Sequence, residues 1–148
     1  MSLHILLDSY PLGILTNPRP LPPIIQWMRS CEAAGHEIYI PEVIDYELRR
    51  ELLRAKKYIG VSNLDILKTT ARFLPITSVA MLLAADLWAT SRQSGLSTGD
   101  PKKLDVDVIL AAQALTLGVP RSSLIVATSN VSHLSRFVTA DLWSNIAP

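Results

Sequence analysis

The stretch LDVDVILAAQAL, residues 104–115, places acidic side chains at the start of an otherwise apolar helix. A helix this apolar is buried in a folded protein, so Asp107 is predicted to lie where the core meets a cleft. A second acid, Asp8, closes the apolar run Leu3–Leu7. Carboxylates gathered in one cleft repel each other unless a cation lies between them, and a hard divalent cation is the usual one.

Composition narrows the class of protein. The 148 residues predict one domain, 1–148, large enough for a substantial core. With 14 basic and 13 acidic residues the formal net charge is +1, which by itself argues neither for nor against a nucleic-acid partner. An apolar content of 49% excludes a disordered chain. The single cysteine, Cys31, excludes an internal disulfide and is expected to be a small buried apolar side chain.

The sequence lacks the hallmarks of a membrane or secreted protein. No run approaches the ~20 apolar residues that a membrane span needs. The first apolar run is interrupted by His4 and ended by Asp8, which does not fit a secretory signal peptide. We therefore expect a soluble cytoplasmic protein.

Short apolar strands alternating with helices predict an α/β fold with a mostly parallel sheet. The predicted strands cover residues 3–7, 37–40, 124–127 and 137–138, and residues 73–76 are expected to form a short strand or an extended link. The predicted helices cover residues 23–34, 63–72, 78–94, 101–117 and 131–136, with a further long helix opened by Pro41. Residues 9–13 are expected to turn the chain, Asn63 or Ser62 to cap the helix at 63–72, and Asp100 to cap the helix at 101–117.

Ligands of parallel sheets bind beyond the carboxyl ends of strands, where Asp8 and residues 128–130 are predicted to lie. Asp8 is either a metal ligand there or a cap for the turn that follows. Thr128 and Asn130 would hold a metal-bound water or a phosphate, or simply form a turn. Asp105 and Asp107 point about 200° apart on a regular helix, so only one of them is expected to line the cleft.

Glu47 is a further candidate because it lies along the half-buried face of the helix that follows Pro41. Most helix glutamates are solvated and have no catalytic role. The residues alone do not separate Glu47 from three nearby acids, which are Glu42, Asp45 and Glu51.

Two surface features bear on partners. The basic segment 49–57 is either a solvated helix face or a surface that meets RNA phosphates. The helix at 79–90 carries more apolar surface than one packed face needs, which predicts a homodimer contact.

Taken together, these segments resemble the PIN-domain family of metal-dependent ribonucleases. ILLDS, residues 5–9, resembles the family's opening strand and first acid. PEVIDYEL, residues 41–48, resembles its proline-led helix, in which the glutamate before a leucine is the second acid. DVILAA, residues 107–112, is similar to its Asp-x-x-Ile-Ala-Ala signature, and IVATSN, residues 125–130, to its late strand and the polar residues after it.

The resemblance implies a three-layer α/β/α fold and Mg²⁺- or Mn²⁺-dependent hydrolysis of RNA. It implies that Asp8, Glu47 and Asp107 are catalytic and bind the metal, and that Asp105 is a further ligand. Thr128 and Asn130 would then position substrate or water. Small members of this size are often VapC-type toxins, which form homodimers and are paired with an antitoxin protein.

One departure keeps a second interpretation open. Many family members carry a fourth aspartate where this chain has Asn130, which keeps a ligand oxygen and loses a charge. The alternative is therefore a catalytically weak or inactive RNA- or protein-binding module on the same fold. Phosphoryl transfer through an aspartyl intermediate on Asp8 is disfavoured because Tyr10 occupies the position where haloacid-dehalogenase-like enzymes need a second aspartate.

Overall fold

A wholly parallel five-stranded sheet forms the centre of the computed structural model, which describes residues 2–95 and 101–148. The strands lie in the order β3-β2-β1-β4-β5. Their bounds are β1 His4–Leu7, β2 Glu37–Pro41, β3 Arg72–Leu74, β4 Leu124–Ala127 and β5 Ala140–Asp141. The first strand is central, and it pairs with β2 on one side and β4 on the other.

Helices connect the strands and cover the sheet. Their bounds are α1 Ser9–Thr16, α2 Pro22–Ala33, α3 Glu42–Arg54, α4 Tyr58–Thr70, α5 Ser78–Gln93, α6 Pro101–Leu115 and α7 Val131–Leu134. The arrangement confirms the predicted three-layer α/β/α fold of PIN-like type, and its sheet is entirely parallel rather than mostly so. None of the helices in the described residues is long and apolar enough to cross a membrane.

The core has two parts. The larger cluster surrounds β1, whose Ile5, Leu6 and Leu7 are fully buried, as strands covered on both faces require. A smaller cluster joins α5 to α6 through Ala80, Ala84 and apolar residues of α6. The apolar face of residues 104–115 is therefore shared between the sheet and α5.

Residues 9–13 form the first half of α1, not the predicted turn. Asp8 is the N-cap of this helix, since its side chain accepts a hydrogen bond from the Ser9 backbone N–H. Pro11 fits because it lies in the first helical turn, where the missing N–H has no carbonyl to bond.

Helix α4 begins at Tyr58, five residues before the predicted start. Gly60 lies inside it because a side chain there would approach Leu52 of α3 to 3.0 Å. Asn63 is not a cap, and its side-chain amide instead donates to the Thr16 carbonyl. The predicted cap Ser62 also lies within the helix, and the predicted cap Asp100 lies outside the described residues.

The last strand is Ala140–Asp141, so the prediction of a strand at 137–138 was wrong. Val138 is buried and Phe137 packs against the α5–α6 cluster. Phe137 and Val138 are apolar because they pack into the core, and the residues that pair with β4 are Ala140 and Asp141.

Candidate active site

Two neighbouring strands end at the same edge of the sheet and deliver the first site residues. Strands β1 and β4 pair in register, with Leu7 opposite Ala127, so Asp8 and Thr128 follow them side by side. Both side chains are buried, and the Thr128 hydroxyl donates to Asp8 Oδ2 across 2.6 Å. This hydrogen bond joins the ends of the two strands, which the sequence pattern placed at the same edge of the sheet.

Asp8 is held by both of its oxygens. Oδ1 accepts from the Ser9 backbone N–H at 2.7 Å, and Oδ2 accepts from Thr128. The carboxylate therefore serves as the helix cap that was one of the two roles considered for it, and Thr128 holds its second oxygen. Two donors fix its orientation.

Asn130 extends this arrangement to α6. Its backbone N–H donates to Thr128 Oγ1 at 2.9 Å, and its side-chain Nδ2 lies 3.5 Å from Asp107 Oδ2. The chain Asp8–Thr128–Asn130–Asp107 thus connects two carboxylates that are 99 positions apart in sequence.

Asp107 is 2% exposed, and its environment disfavours the charged form. Burial, the largest cause, and the negative charges of Asp8 and Glu47 raise the pKa of the Asp107 carboxyl to about 6. Lys103 and Arg136 oppose the rise. The charges of Asp8 and Glu47 therefore act on Asp107, and these are the three acids that the family resemblance singled out.

Glu47 has an unusual environment for a helix glutamate. Its Oε1 atom is buried and has no hydrogen-bond partner among the described residues. Buried carboxylate oxygens without a partner are rare in folded proteins, and they often mark a place where an ion or water binds.

The three competing acids of α3 are engaged elsewhere. Glu42 accepts from the Ile76 backbone N–H at 2.7 Å, and Asp45 pairs with Arg49 at 2.8 Å. Glu51 pairs with Arg54 at 2.9 Å. Of these α3 acids, Glu47 is the one whose charge acts on Asp107.

Asp105 lies apart from the other site acids. It is exposed and lines a cavity of about 390 Å³ between α3, α5 and α6, together with Tyr46 and Arg50. The opposite orientation of Asp105 and Asp107 follows from their spacing on a regular helix. The structure thus brings Asp8, Glu47, Asp107, Thr128 and Asn130 together and leaves Asp105 outside the group.

The donor set suits a hard divalent cation, although no preformed cage exists. In the described part of the chain, no three His, Cys, Asp or Glu side chains converge closely enough to hold a metal ion by themselves. Mg²⁺ keeps several waters and needs only one or two direct carboxylates, so a more open site satisfies it. Asp8 and Asp107 offer carboxylate oxygens, and the unpartnered Glu47 Oε1 offers a third position.

Gln113 is a positioning residue that the sequence pattern did not indicate. Gln113 is 2% exposed, its Oε1 accepts from the Val43 N–H at 3.2 Å, and its Nε2 donates to the Leu74 carbonyl at 2.8 Å. Helix α3 has no side-chain cap of its own, so Gln113 satisfies one of its first-turn N–H groups. The available signal was a lone amide within the apolar run 104–115.

Comparisons with known proteins show a shared fold. No protein-family model matches the chain, and no curated protein matches it in sequence. The solved structure of VapBC2 from Rickettsia felis, bound to a DNA fragment from its promoter, aligns with a TM-score of 0.75 at 18% identity. That alignment covers 95% of this chain and 99% of the other.

Two further structures agree. VapBC-1 from nontypeable Haemophilus influenzae aligns with a TM-score of 0.69 at 15% identity, covering 97% of this chain and 100% of the other. FitAcB from Neisseria gonorrhoeae aligns with a TM-score of 0.65 at 19% identity, covering 96% and 99%. At these identities the likeness establishes the fold, and it extends over nearly the whole length of each chain.

Proposed function

We propose that the protein is a PIN-type, metal-dependent endoribonuclease that hydrolyses RNA phosphodiester bonds. The observation that carries the proposal is the grouping of Asp8, Glu47 and Asp107, in which one carboxylate has a raised pKa and another has an unpartnered buried oxygen. Acids arranged at such electrostatic cost are typical of functional sites rather than of structural ones.

The residues would divide the work as follows. Asp8, Glu47 and Asp107 would hold Mg²⁺ or Mn²⁺, which when bound supplies a nucleophilic hydroxide and neutralises charge on the scissile phosphate. Thr128 keeps Asp8 in a fixed orientation through their hydrogen bond. Asn130 lies beside Asp107, where its amide can orient a water or a phosphate oxygen. Asp105 has no part in this arrangement.

A protein partner forms the second half of the proposal. The structures that share this fold include VapBC and FitAcB assemblies, and we propose that this chain is the toxin of a type II toxin–antitoxin pair, acting in the cytoplasm. A groove of about 750 Å³ between α1, α3 and α4 offers an apolar floor at Leu48, Leu52 and Ile59. Arg54, Lys56 and Lys57 line it, so an antitoxin segment with apolar and acidic side chains would be complementary.

A homodimer is proposed on the apolar surface of α5. Val79 and Leu82 of this helix are 64% and 71% exposed, and Met81 and Trp88 are also exposed. Adjacent exposed apolar side chains of this size mark protein contacts more often than free surface. A single species of monomer mass by light scattering at micromolar concentration would contradict the dimer.

The alternative function is RNA or protein binding without catalysis. It is favoured by Asn130, a neutral amide next to Asp107 where a fourth acid would add charge, and by the absence of a three-ligand cage in the described residues. Metal binding distinguishes the two functions, because a catalytically inactive site would show no heat of Mn²⁺ binding by calorimetry.

The deciding experiment is cleavage of a mixed-sequence RNA with Mn²⁺ or Mg²⁺. EDTA and the Asp107→Asn protein are the controls, and circular dichroism verifies that the variant is folded. Cutting that requires both the metal and Asp107 is the expected result. Cutting that survives EDTA, or that Asp107→Asn leaves undiminished, would refute the proposed function.

A further inference from the structure

A second cavity opens directly beside Asp8. Its volume is about 440 Å³, and a single short segment of chain, residues 9–21, lines it. Ser9, Tyr10 and Ile14 of α1 form one wall, and Asn17, Arg19 and Leu21 of the following turn form the other. The volume lies within the range that holds one nucleotide-sized ligand.

The chemistry of the cavity is aromatic and cationic. Tyr10 is 54% exposed, and the Arg19 side chain is exposed as well. The Asn17 side-chain oxygen accepts from the Arg19 backbone N–H at 2.9 Å, which fixes the turn that carries the arginine. None of the described residues that line the cavity is acidic, so Arg19 gives it a net positive character.

The cavity begins at the residue that follows Asp8. Ser9 lines it and also donates its backbone N–H to Asp8 Oδ1. Tyr10 lies in the first turn of the helix that Asp8 caps. The cavity and the candidate site therefore share the first turn of α1.

We propose that this cavity binds the unpaired RNA nucleotide next to the scissile phosphate, with its base stacked on Tyr10 and its backbone phosphate paired with Arg19. The inference rests on the proposed ribonuclease function and adds a subsite to it. An exposed aromatic ring beside an arginine is the arrangement that single-stranded nucleic acid requires, because every base has a stacking face and every linkage has a charge. An acidic peptide would satisfy Arg19 but has no flat group for Tyr10.

Binding and cleavage are tested separately. Binding of a labelled single-stranded RNA of about 12 nucleotides is measured by anisotropy in EDTA, where no metal-dependent cutting occurs. The variants are Tyr10→Ala, Tyr10→Phe and Arg19→Gln. Arg29→Gln, an exposed arginine on α2, is the charge-matched control. Cleavage of the same RNA with Mn²⁺ is then compared with that of RNAs lacking one base at each position in turn.

The expected results are specific to stacking. Tyr10→Ala weakens binding about tenfold and Tyr10→Phe restores it. Arg19→Gln lowers the slope of log affinity against log salt by about 0.7, and Arg29→Gln leaves it unchanged. Removing the base next to the cut abolishes the effect of Tyr10→Ala, because no base remains to stack.

Other results would overturn the subsite. Equal cleavage by wild type and Tyr10→Ala on intact RNA would exclude the stacking role while leaving the ribonuclease function standing. A Tyr10→Ala effect that persists on every abasic RNA would assign Tyr10 a structural role. If Tyr10→Ala or Arg19→Gln reduced the binding of an acidic peptide and left RNA binding unchanged, the cavity would be assigned to a protein partner. Absence of wild-type cleavage with the binding effects intact would refute the ribonuclease proposal and retain the nucleotide site.

Discussion

The Thr128 hydroxyl donates to Asp8 Oδ2 across 2.6 Å, so the residues that follow β4 and β1 are joined beneath the candidate site. Thr128 also accepts from the Asn130 backbone N–H, and one hydroxyl therefore organises two of the site residues. Both Thr128 and Asp8 are buried, which makes this hydrogen bond costly to lose.

Replacing Thr128 with valine keeps the shape of the side chain and removes the hydroxyl. We expect unfolding free energy to fall by about 1–3 kcal/mol, since Asp8 Oδ2 loses its buried donor. We expect Mn²⁺ affinity to fall about tenfold, as for other residues that orient metal ligands. Thr128→Ser should restore both quantities. Calorimetry of Mn²⁺ binding together with urea unfolding measures them, and unchanged affinity in the valine variant would remove Thr128 from the site.

Asp107 makes the metal-free protein sensitive to pH. Its pKa is raised from the ordinary value near 4 to about 6 in the folded state, so the folded protein holds a proton that the unfolded chain releases. The contribution of Asp107 to stability is therefore greatest below about pH 4, falls between about pH 4 and 6, and is absent above that range. The loss amounts to about 2–3 kcal/mol.

Asp107→Asn cannot ionise, so its metal-free form is expected to be more stable than the wild type at pH 7. The two proteins should converge at pH 4, where Asp107 of the wild type is protonated. Urea unfolding in EDTA across this range measures the difference. A variant less stable than wild type at pH 7 would show that the carboxylate is not held at an electrostatic cost.

Gln113 ties the helix of Asp107 to the helix of Glu47. Gln113→Leu removes the acceptor for the Val43 N–H and the donor to the Leu74 carbonyl, so we expect a loss of about 1–3 kcal/mol in unfolding free energy. We also expect weaker Mn²⁺ binding, because Glu47 lies one turn beyond Val43 on α3. The matched control is Trp27→Phe, which removes the indole hydrogen bond to the Ile146 carbonyl.

The two variants separate positioning from simple destabilisation. Trp27→Phe should lose stability and keep its Mn²⁺ affinity, since α2 carries none of the site residues. If both variants lose metal affinity in proportion to stability, then Gln113 has only a structural role.

The parts of the fold that the sequence predicts are those with strong local patterns. Residues 5–7 and 124–127 are apolar throughout and are followed by the polar residues Asp8 and Thr128, so β1 and β4 and the residues after them were found. Helix α1 was missed because Pro11 and Gly13, close together in sequence, signal a turn, whereas the packing of α1 against α3 and α4 is tertiary. The start of α4 was missed for the same reason, since only the contact with Leu52 explains Gly60.

The candidate site was also predictable only where local sequence patterns are strong. The 200° separation of Asp105 and Asp107 predicts that one of them faces away, but it does not say which. In the structure Asp107 is buried beside Asn130, whereas Asp105 is exposed. Glu47 could not be separated from Glu42, Asp45 and Glu51 by pattern, because what distinguishes them is the partner that each meets on another segment. Gln113 needed the same long-range information.

Asn130→Asp tests how the neutral amide at residue 130 affects stability and cation binding. The side chain of residue 130 lies 3.5 Å from Asp107 Oδ2, so a carboxylate there adds a like charge to an already crowded group. In EDTA at pH 7 we expect the variant to be less stable than wild type. With Mn²⁺ present we expect the order to reverse, because an added acid strengthens cation binding by about tenfold, or about 1.4 kcal/mol.

Asn130→Ala, which has neither amide nor charge, separates the electrostatic effect from loss of the Asn130 side chain. Thermal unfolding with and without Mn²⁺ measures all three proteins, and a variant that loses stability in EDTA without gaining from Mn²⁺ would mean that no cation binds between residues 107 and 130.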